Sequence, residues 1–149
     1  MPKFQANGIH SIVPEGWVDR STLTLVGPTS EDGFAANIVV TRQPIDEGTD
    51  VTAFGKSQCE ELAASFEAMR VDDERTIRLK GREVYQRLHA LQLGGRWVQQ
   101  VQTYFVRGPH PRTGLTEGFV VTGSAAVESF DANQEFFKRF TEAFEFSDD

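Results

Sequence analysis

The stretch Trp97-Val98-Gln99-Gln100-Val101-Gln102-Thr103-Tyr104-Phe105-Val106, "WVQQVQTYFV", decides the fold class. Its aromatic and β-branched residues predict a strand. Successive side chains in a strand point to opposite faces. One face therefore carries Val98, Gln100, Gln102, Tyr104 and Val106, and the other carries Trp97, Gln99, Val101, Thr103 and Phe105. Both faces mix apolar and amide groups, and neither carries a charge. A strand with one face in water would show Lys, Glu or Arg there. Buried glutamine needs partners for two N–H donors and a carbonyl acceptor.

Working outward, Gly94-Gly95 is a two-residue hairpin signal that joins this strand to "EVYQRLHALQL". "ERTIRLKG" precedes that strand across a turn at Gly81. "PHPRTGLTE" is a polar loop leading to a last strand, "GFVVTGSAA". Upstream, "GIHSIVPEGW" predicts a short strand ending at Pro14, "STLTLVGP" a second stopped by Gly27-Pro28, and "ANIVVTRQP" a third stopped by Pro44. These three read as an antiparallel meander. Trp17, after the Pro14-Glu15-Gly16 turn, is expected to be a buried ring covering the sheet edge.

Two segments change period. "FGKSQCEELAASFEAM", capped by Asp50 or Thr52, places Phe54, Leu62, Phe66 and Met69 on one helical stripe. Gln58, four residues before Leu62, lies on or beside it. The second helix is capped by Asp131, with Gln134 three residues on completing a capping box. Phe136, Phe137, Phe140 and Phe144 form its apolar stripe. The order βββ-α-ββββ-α predicts an α+β fold, a largely antiparallel sheet with helices packed on it.

The chain has 149 residues and reads as one domain spanning 1–149, long enough for a core without staples. Its net charge of −7, without a basic stripe, argues against nucleic acid as a partner. One cysteine, Cys59, excludes an internal disulfide and suits a reducing compartment. The beginning of the sequence lacks the apolar core of a secretory signal, and no apolar run approaches a membrane span. A cytoplasmic protein without direct membrane insertion is the expectation. His10, His89 and His110 have no companions at metal-ligand spacing, and no phosphate loop or dinucleotide fingerprint occurs. Neither a metal nor another cofactor is expected, and nothing argues for an enzyme.

"PEGWVDRS", followed by "TLTLV", "ANIVVTRQP", a helix and "IRLKGREVYQRL", resembles the DcrB-related family with a PsbP-like fold. In particular it resembles the Eag-type chaperones of type VI secretion effectors. The resemblance implies a cytoplasmic homodimer that holds the N-terminal transmembrane helices of a secreted effector, commonly one with a PAAR domain. It implies a groove in which amides take the place of contacts between helices. Gln58 and Gln102 are the amides here, with Leu23, Val39 and Leu62 as apolar neighbours. Gln100, on the same strand face as Gln102, joins them. Such surfaces pack transmembrane helices through small and uncharged polar groups. The alternatives are a small-molecule binding module and an adaptor for a folded partner.

Overall fold

The structure, a computed structural model, describes residues 3–6, 9–29 and 31–147. The chain runs β1 (Lys3–Ala6), β2 (Ile9–Ile12), β3 (Thr22–Thr29), β4 (Ala35–Ile45), α1 (Val51–Ser65), β5 (Met69–Leu79), β6 (Arg82–Leu93), β7 (Arg96–Arg107), β8 (Thr116–Ala126) and α2 (Phe130–Ala143). Six antiparallel strands form one sheet in the order β3-β4-β8-β7-β6-β5, while β1 and β2 pair in a separate hairpin. The expected α+β class and antiparallel sheet are present. The first predicted strand, whose Gly8 lies outside the described residues, leaves the meander and pairs with β1 instead.

The two hairpin turns follow from left-handed backbone. Gly94 and Gly95 both have positive φ, as a two-residue turn matching the twist of its strands requires. Lys80-Gly81 does the same with one non-glycine residue. β4 continues through Pro44, which pairs opposite Glu117 of β8. β3 has already ended, with Thr22 opposite Thr41, so one side of β4 is free there. An open side is where a strand tolerates a residue without an N–H.

Asp50 caps α1, accepting a 2.7 Å hydrogen bond from the Ala53 N–H. The helix stops at Ser65, and Phe66 is extended, so Met69 begins β5 and does not extend the helical stripe. α2 begins two residues earlier than expected. Its cap position is Ser129, without a side-chain capping bond, and Asp131 lies in the first turn, where its charge suits the helix dipole. Its inner stripe is Phe130, Phe137, Phe140 and Thr141. Phe136 is 61% exposed and does not belong to it.

The helices lie on opposite faces of the sheet. Phe54 of α1 packs edge-on to Tyr104, whose face of the sheet also carries Tyr85, Arg87, Gln102 and Val120. α2 packs on the other face, against Leu88, Val101 and Ala125. Both dockings use glycines. An added Cβ would lie 2.1 Å from the Tyr85 ring at Gly55, 2.5 Å from Phe54 at Gly118 and 2.4 Å from Phe137 at Gly123. Each ring fills the space a side chain would have taken, the close packing expected of protein interiors.

The sheet edges differ. β5 presents Arg70, Asp72, Asp73, Glu74, Arg75 and Arg78. Such charges discourage another strand from pairing. β3, "TLTLVGPT", has no charged residue and is mostly exposed. Beside it in sequence, Trp17 closes the Pro14 turn by its N–H, yet its side chain is 73% exposed. The expected burial of Trp17 does not occur. The other distinctive residues of "PEGWVDRS" are structural. Asp19 accepts from the N–H and hydroxyl of Ser21 and from Arg42, which also forks onto Glu117 at 2.8 and 2.9 Å.

Candidate functional site

Sheet register places residues in rows across the α1 face, uncharged except for Arg87 at the β6 end. One row runs Thr24, Val39, Thr122, Gln102, Arg87 from β3 to β6. The next runs Val26, Asn37, Ser124, Gln100, His89. α1 covers the β5–β6–β7 half of this face. The outer half is open: Thr24 and Val26 are exposed, while Asn37 and Val39 are half-buried. α1 thus borders an uncharged strip of sheet that runs from β7 over β8 and β4 to β3.

Three of the six sequence-predicted residues, Val39, Gln100 and Gln102, share this face of the sheet, and Gln58 and Leu62 lie on α1. Gln58 and Leu62 follow Phe54 by one and about two turns of α1. The Phe54 ring sits over Gly118 of β8, so this side of the helix faces the sheet. Val39, Gln100 and Gln102 lie on the strip. Leu23 does not join them. It pairs with Val40, whose row continues to Val121 on the opposite face, and it packs into the cluster with Phe105 and Phe140. A strand places residues by parity, and Leu23 has the parity of the α2 side.

The amides of β7 have partners within the chain. Arg87 is fully buried, and among the described residues no carboxylate forms an ion pair with it. Its guanidinium donates to the Gly55 carbonyl at 3.0 Å, to Tyr104 Oη at 2.6 Å, to His89 Nδ1 at 3.2 Å and to Gln102 Oε1. Tyr104 donates to the same Oε1 at 2.5 Å. Gln102 Nε2 donates to Thr122 Oγ1 at 3.2 Å. In the neighbouring row, His89 Nε2 lies 2.7 Å from Gln100 Oε1, and Gln100 Nε2 donates to Ser124 Oγ at 2.9 Å. Gln99, on the other face, donates to Asp72 and to the His89 carbonyl, both at 2.9 Å. Gln58 is different: it is half-buried on α1, and its side-chain amide makes no hydrogen bond among the described residues.

The titrating groups of this network are held neutral. Burial pushes the Tyr104 phenol up beyond its ordinary range and raises Tyr85 to about 12. Burial, with the Arg87 charge beside it, holds the His89 imidazole down at about 4. In the unfolded chain the ring titrates near its ordinary value of about 6.5. Between those values the unfolded chain binds the extra proton, so stability rises with pH. The contribution is complete above pH 7 and is lost as the pH falls from about 6.5 toward 4. Unfolding free energy should fall by about 2 kcal/mol between pH 7 and pH 5 from this group. Denaturant titrations at the two pH values, repeated on His89→Gln, measure it. A slope that persists in the variant assigns the effect elsewhere.

Arg87 and His89 were not picked out as site residues in the sequence. The signal was present in the Gly94-Gly95 turn: counting outward from it puts Arg87 opposite Gln102 and His89 opposite Gln100. The described residues hold no cluster of His, Cys, Asp or Glu suited to a metal. No helix among them is long and apolar enough to cross a membrane. A second opening, a cleft of about 470 Å³, lies on the α2 face. It is lined by Ile77, Leu79 and Val101 and rimmed by the charges of Arg75, Asp131 and Lys138.

No curated protein matches the chain. Solved structures share its fold. PA94, a Pseudomonas aeruginosa protein of unknown function, is similar with a TM-score of 0.81 at 15% identity, over 99% of this chain and 97% of that one. LpqN, involved in cell envelope biogenesis of Mycobacterium tuberculosis, aligns at 0.55 and 14% identity, over 83% of this chain and 74% of its own. The PsbP protein of Synechocystis sp. PCC 6803, CyanoP, aligns at 0.56 and 11% identity, over 93% and 86% respectively. The architecture is therefore PsbP-like. The sequence pattern of the family described as DcrB matches residues 12–140, and the chain belongs to the DcrB family.

Proposed function

We propose that the groove between α1 and the β3–β4 half of the sheet binds an apolar helix of another protein. The observation that carries the proposal is Gln58, a half-buried amide without a partner on the helix beside a floor that is uncharged across β4, β8 and β7. An uncharged floor dotted with amides and hydroxyls resembles the inside of a membrane-helix bundle more than a water-facing sheet. Membership of the DcrB family and the Eag-type resemblance support the occupant: the N-terminal transmembrane helices of a type VI secretion effector, shielded in the cytoplasm before export. The protein then acts as a chaperone or adaptor and not as an enzyme. Membrane helices cannot be left in water, because their apolar surface far exceeds what soluble monomers expose.

The working unit is a homodimer. The exposed apolar residues Trp17, Val18, Leu25 and Val26 cluster in sequence around the uncharged β3 edge. Light scattering should return the mass of two chains, not the 16.6 kDa of one.

Co-expression with a secreted effector carrying apolar N-terminal helices, followed by purification and affinity measurement, tests the groove. Gln58→Ala should weaken binding by about 0.6–2 kcal/mol, the worth of one amide bond in apolar surroundings. It should leave folding stability within about 0.5 kcal/mol, because no bond within the chain is lost. Unchanged affinity would remove α1 from the site. Capture of the effector without its apolar helices would instead favour an adaptor for a folded partner.

A further inference from the structure

We propose that Arg87 sets the hydrogen-bonding polarity of the groove floor, so that the floor offers N–H donors and selects a helix carrying an unpaired acceptor oxygen. The proposal rests on the groove being a helix site and names the chemistry of its occupant.

A guanidinium has five N–H donors and no acceptor. Every atom Arg87 bonds must therefore accept. For Gln102 this leaves one orientation: its carbonyl oxygen turns inward to Arg87 and Tyr104, and its NH₂ turns toward Thr122 and the open side of the sheet. For His89 it settles the tautomer. Nδ1 accepts from the Arg87 Nε–H and so carries no proton, which places the ring proton on Nε2. That N–H must donate to Gln100 Oε1, and Gln100 in turn directs its NH₂ toward Ser124. Both rows thus run from donor to acceptor in the same sense, away from Arg87 and toward β8. Each amide nitrogen is assigned one acceptor, Thr122 or Ser124, and each retains a second N–H without one among the described residues.

The charge of Arg87 adds to this polarity. It is buried without a carboxylate at the α1-covered end of the first row, and the aligned amide dipoles point their positive, N–H ends along the floor toward β8. An oxygen is attracted there and an N–H or ammonium is repelled. An unbroken helix of Leu and Ala has its inner carbonyls already bonded along its own axis. A proline removes one N–H and frees the carbonyl one turn earlier. The preferred occupant is thus an apolar helix interrupted so that it bares a backbone carbonyl.

Two measurements test this on the full chain. The first needs no partner. Long-range proton–nitrogen correlation spectra of the labelled protein at pH 7 should show His89 neutral with its proton on Nε2. A proton on Nδ1, or a doubly protonated ring, would overturn the polarity assignment.

The second uses two lysine-flanked peptides of about 20 residues, a membrane-spanning length. One has a Leu/Ala core, and the other has the same core with a single central proline. The proline peptide should bind about fivefold more tightly, within the range expected of one bond in apolar surroundings. Gln102→Glu still accepts from Arg87 but replaces the outward NH₂ with oxygen. It should abolish the preference while keeping a melting temperature no lower than that of the parent. Equal binding of the two peptides by the parent, or a preference that survives in Gln102→Glu, would overturn the selection of an acceptor. If neither peptide binds, the helix-groove reading falls and takes the acceptor partner with it. The tautomer still decides the role of Arg87.

Discussion

Replacing Arg87 with methionine should lower the unfolding free energy by about 3–5 kcal/mol, the range for breaking a buried charged cluster from one side. Two effects oppose each other. Removing a buried charge that has no carboxylate partner relieves a desolvation penalty. Against that, the Gly55 carbonyl, Gln102 Oε1, His89 Nδ1 and Tyr104 Oη all lose the same donor. A buried acceptor left without a partner costs about 1–3 kcal/mol. Tyr104 can still donate to Gln102, so some of the four remain partly satisfied. The remaining losses outweigh the relief. The Gly55 bond also ties α1 to the sheet, so loosening should appear first as faster amide exchange in the helix. Denaturant unfolding with an unchanged slope measures the energy. A variant as stable as the parent would mean that the charge is a net burden and that the cluster holds together without it.

Gly55→Ala should cost about 3 kcal/mol, although alanine is the better helix former by about 1 kcal/mol. The new Cβ would stand 2.1 Å from Tyr85 Cδ1. The ring has little freedom to retreat. It is buried, it packs at 5.7 Å against Tyr104, and its hydroxyl is held by Glu74 at 2.5 Å. Helix α1 must then rise off the sheet, lengthening the Gly55–Arg87 bond. A melting temperature equal to or above that of the parent would show that the helix shifts without penalty and that this close approach is not needed.

The reasons some features were legible and others were not lie in the range of the contacts involved. Strand order along β5 to β8 follows from period and from turns whose glycines need left-handed backbone, all local properties. The amides of "WVQQVQTYFV" stood out because the strand has no charge. Their partners were hidden by β6, where Tyr85, Arg87 and His89 alternate with Val84, Leu88 and Ala90. A face that carries Arg and His reads as the water side. It is buried because Gly55, 32 residues from Arg87 in sequence, lets α1 sit directly on it. That is a tertiary contact that no local pattern announces. Leu23 was misplaced for a related reason: "STLTLV" alternates cleanly, but its alternation does not say which helix lies on which side. Trp17 shows the limit of size as a guide, since a large aromatic residue after a turn proved exposed. Phe136 repeats that lesson on α2.

The unequal edges of the sheet have a consequence for how far assembly can go. Any strand-to-strand association through β3 uses the uncharged edge of the six-stranded sheet. With the two copies related by a twofold axis, the joined sheet ends in β5 at both extremities. Both ends then carry the same dense mixture of arginine and carboxylate side chains. A third copy finds no uncharged edge on the joined sheet, which therefore ends at two chains. Association through β3 is thereby closed and does not propagate into a fibre.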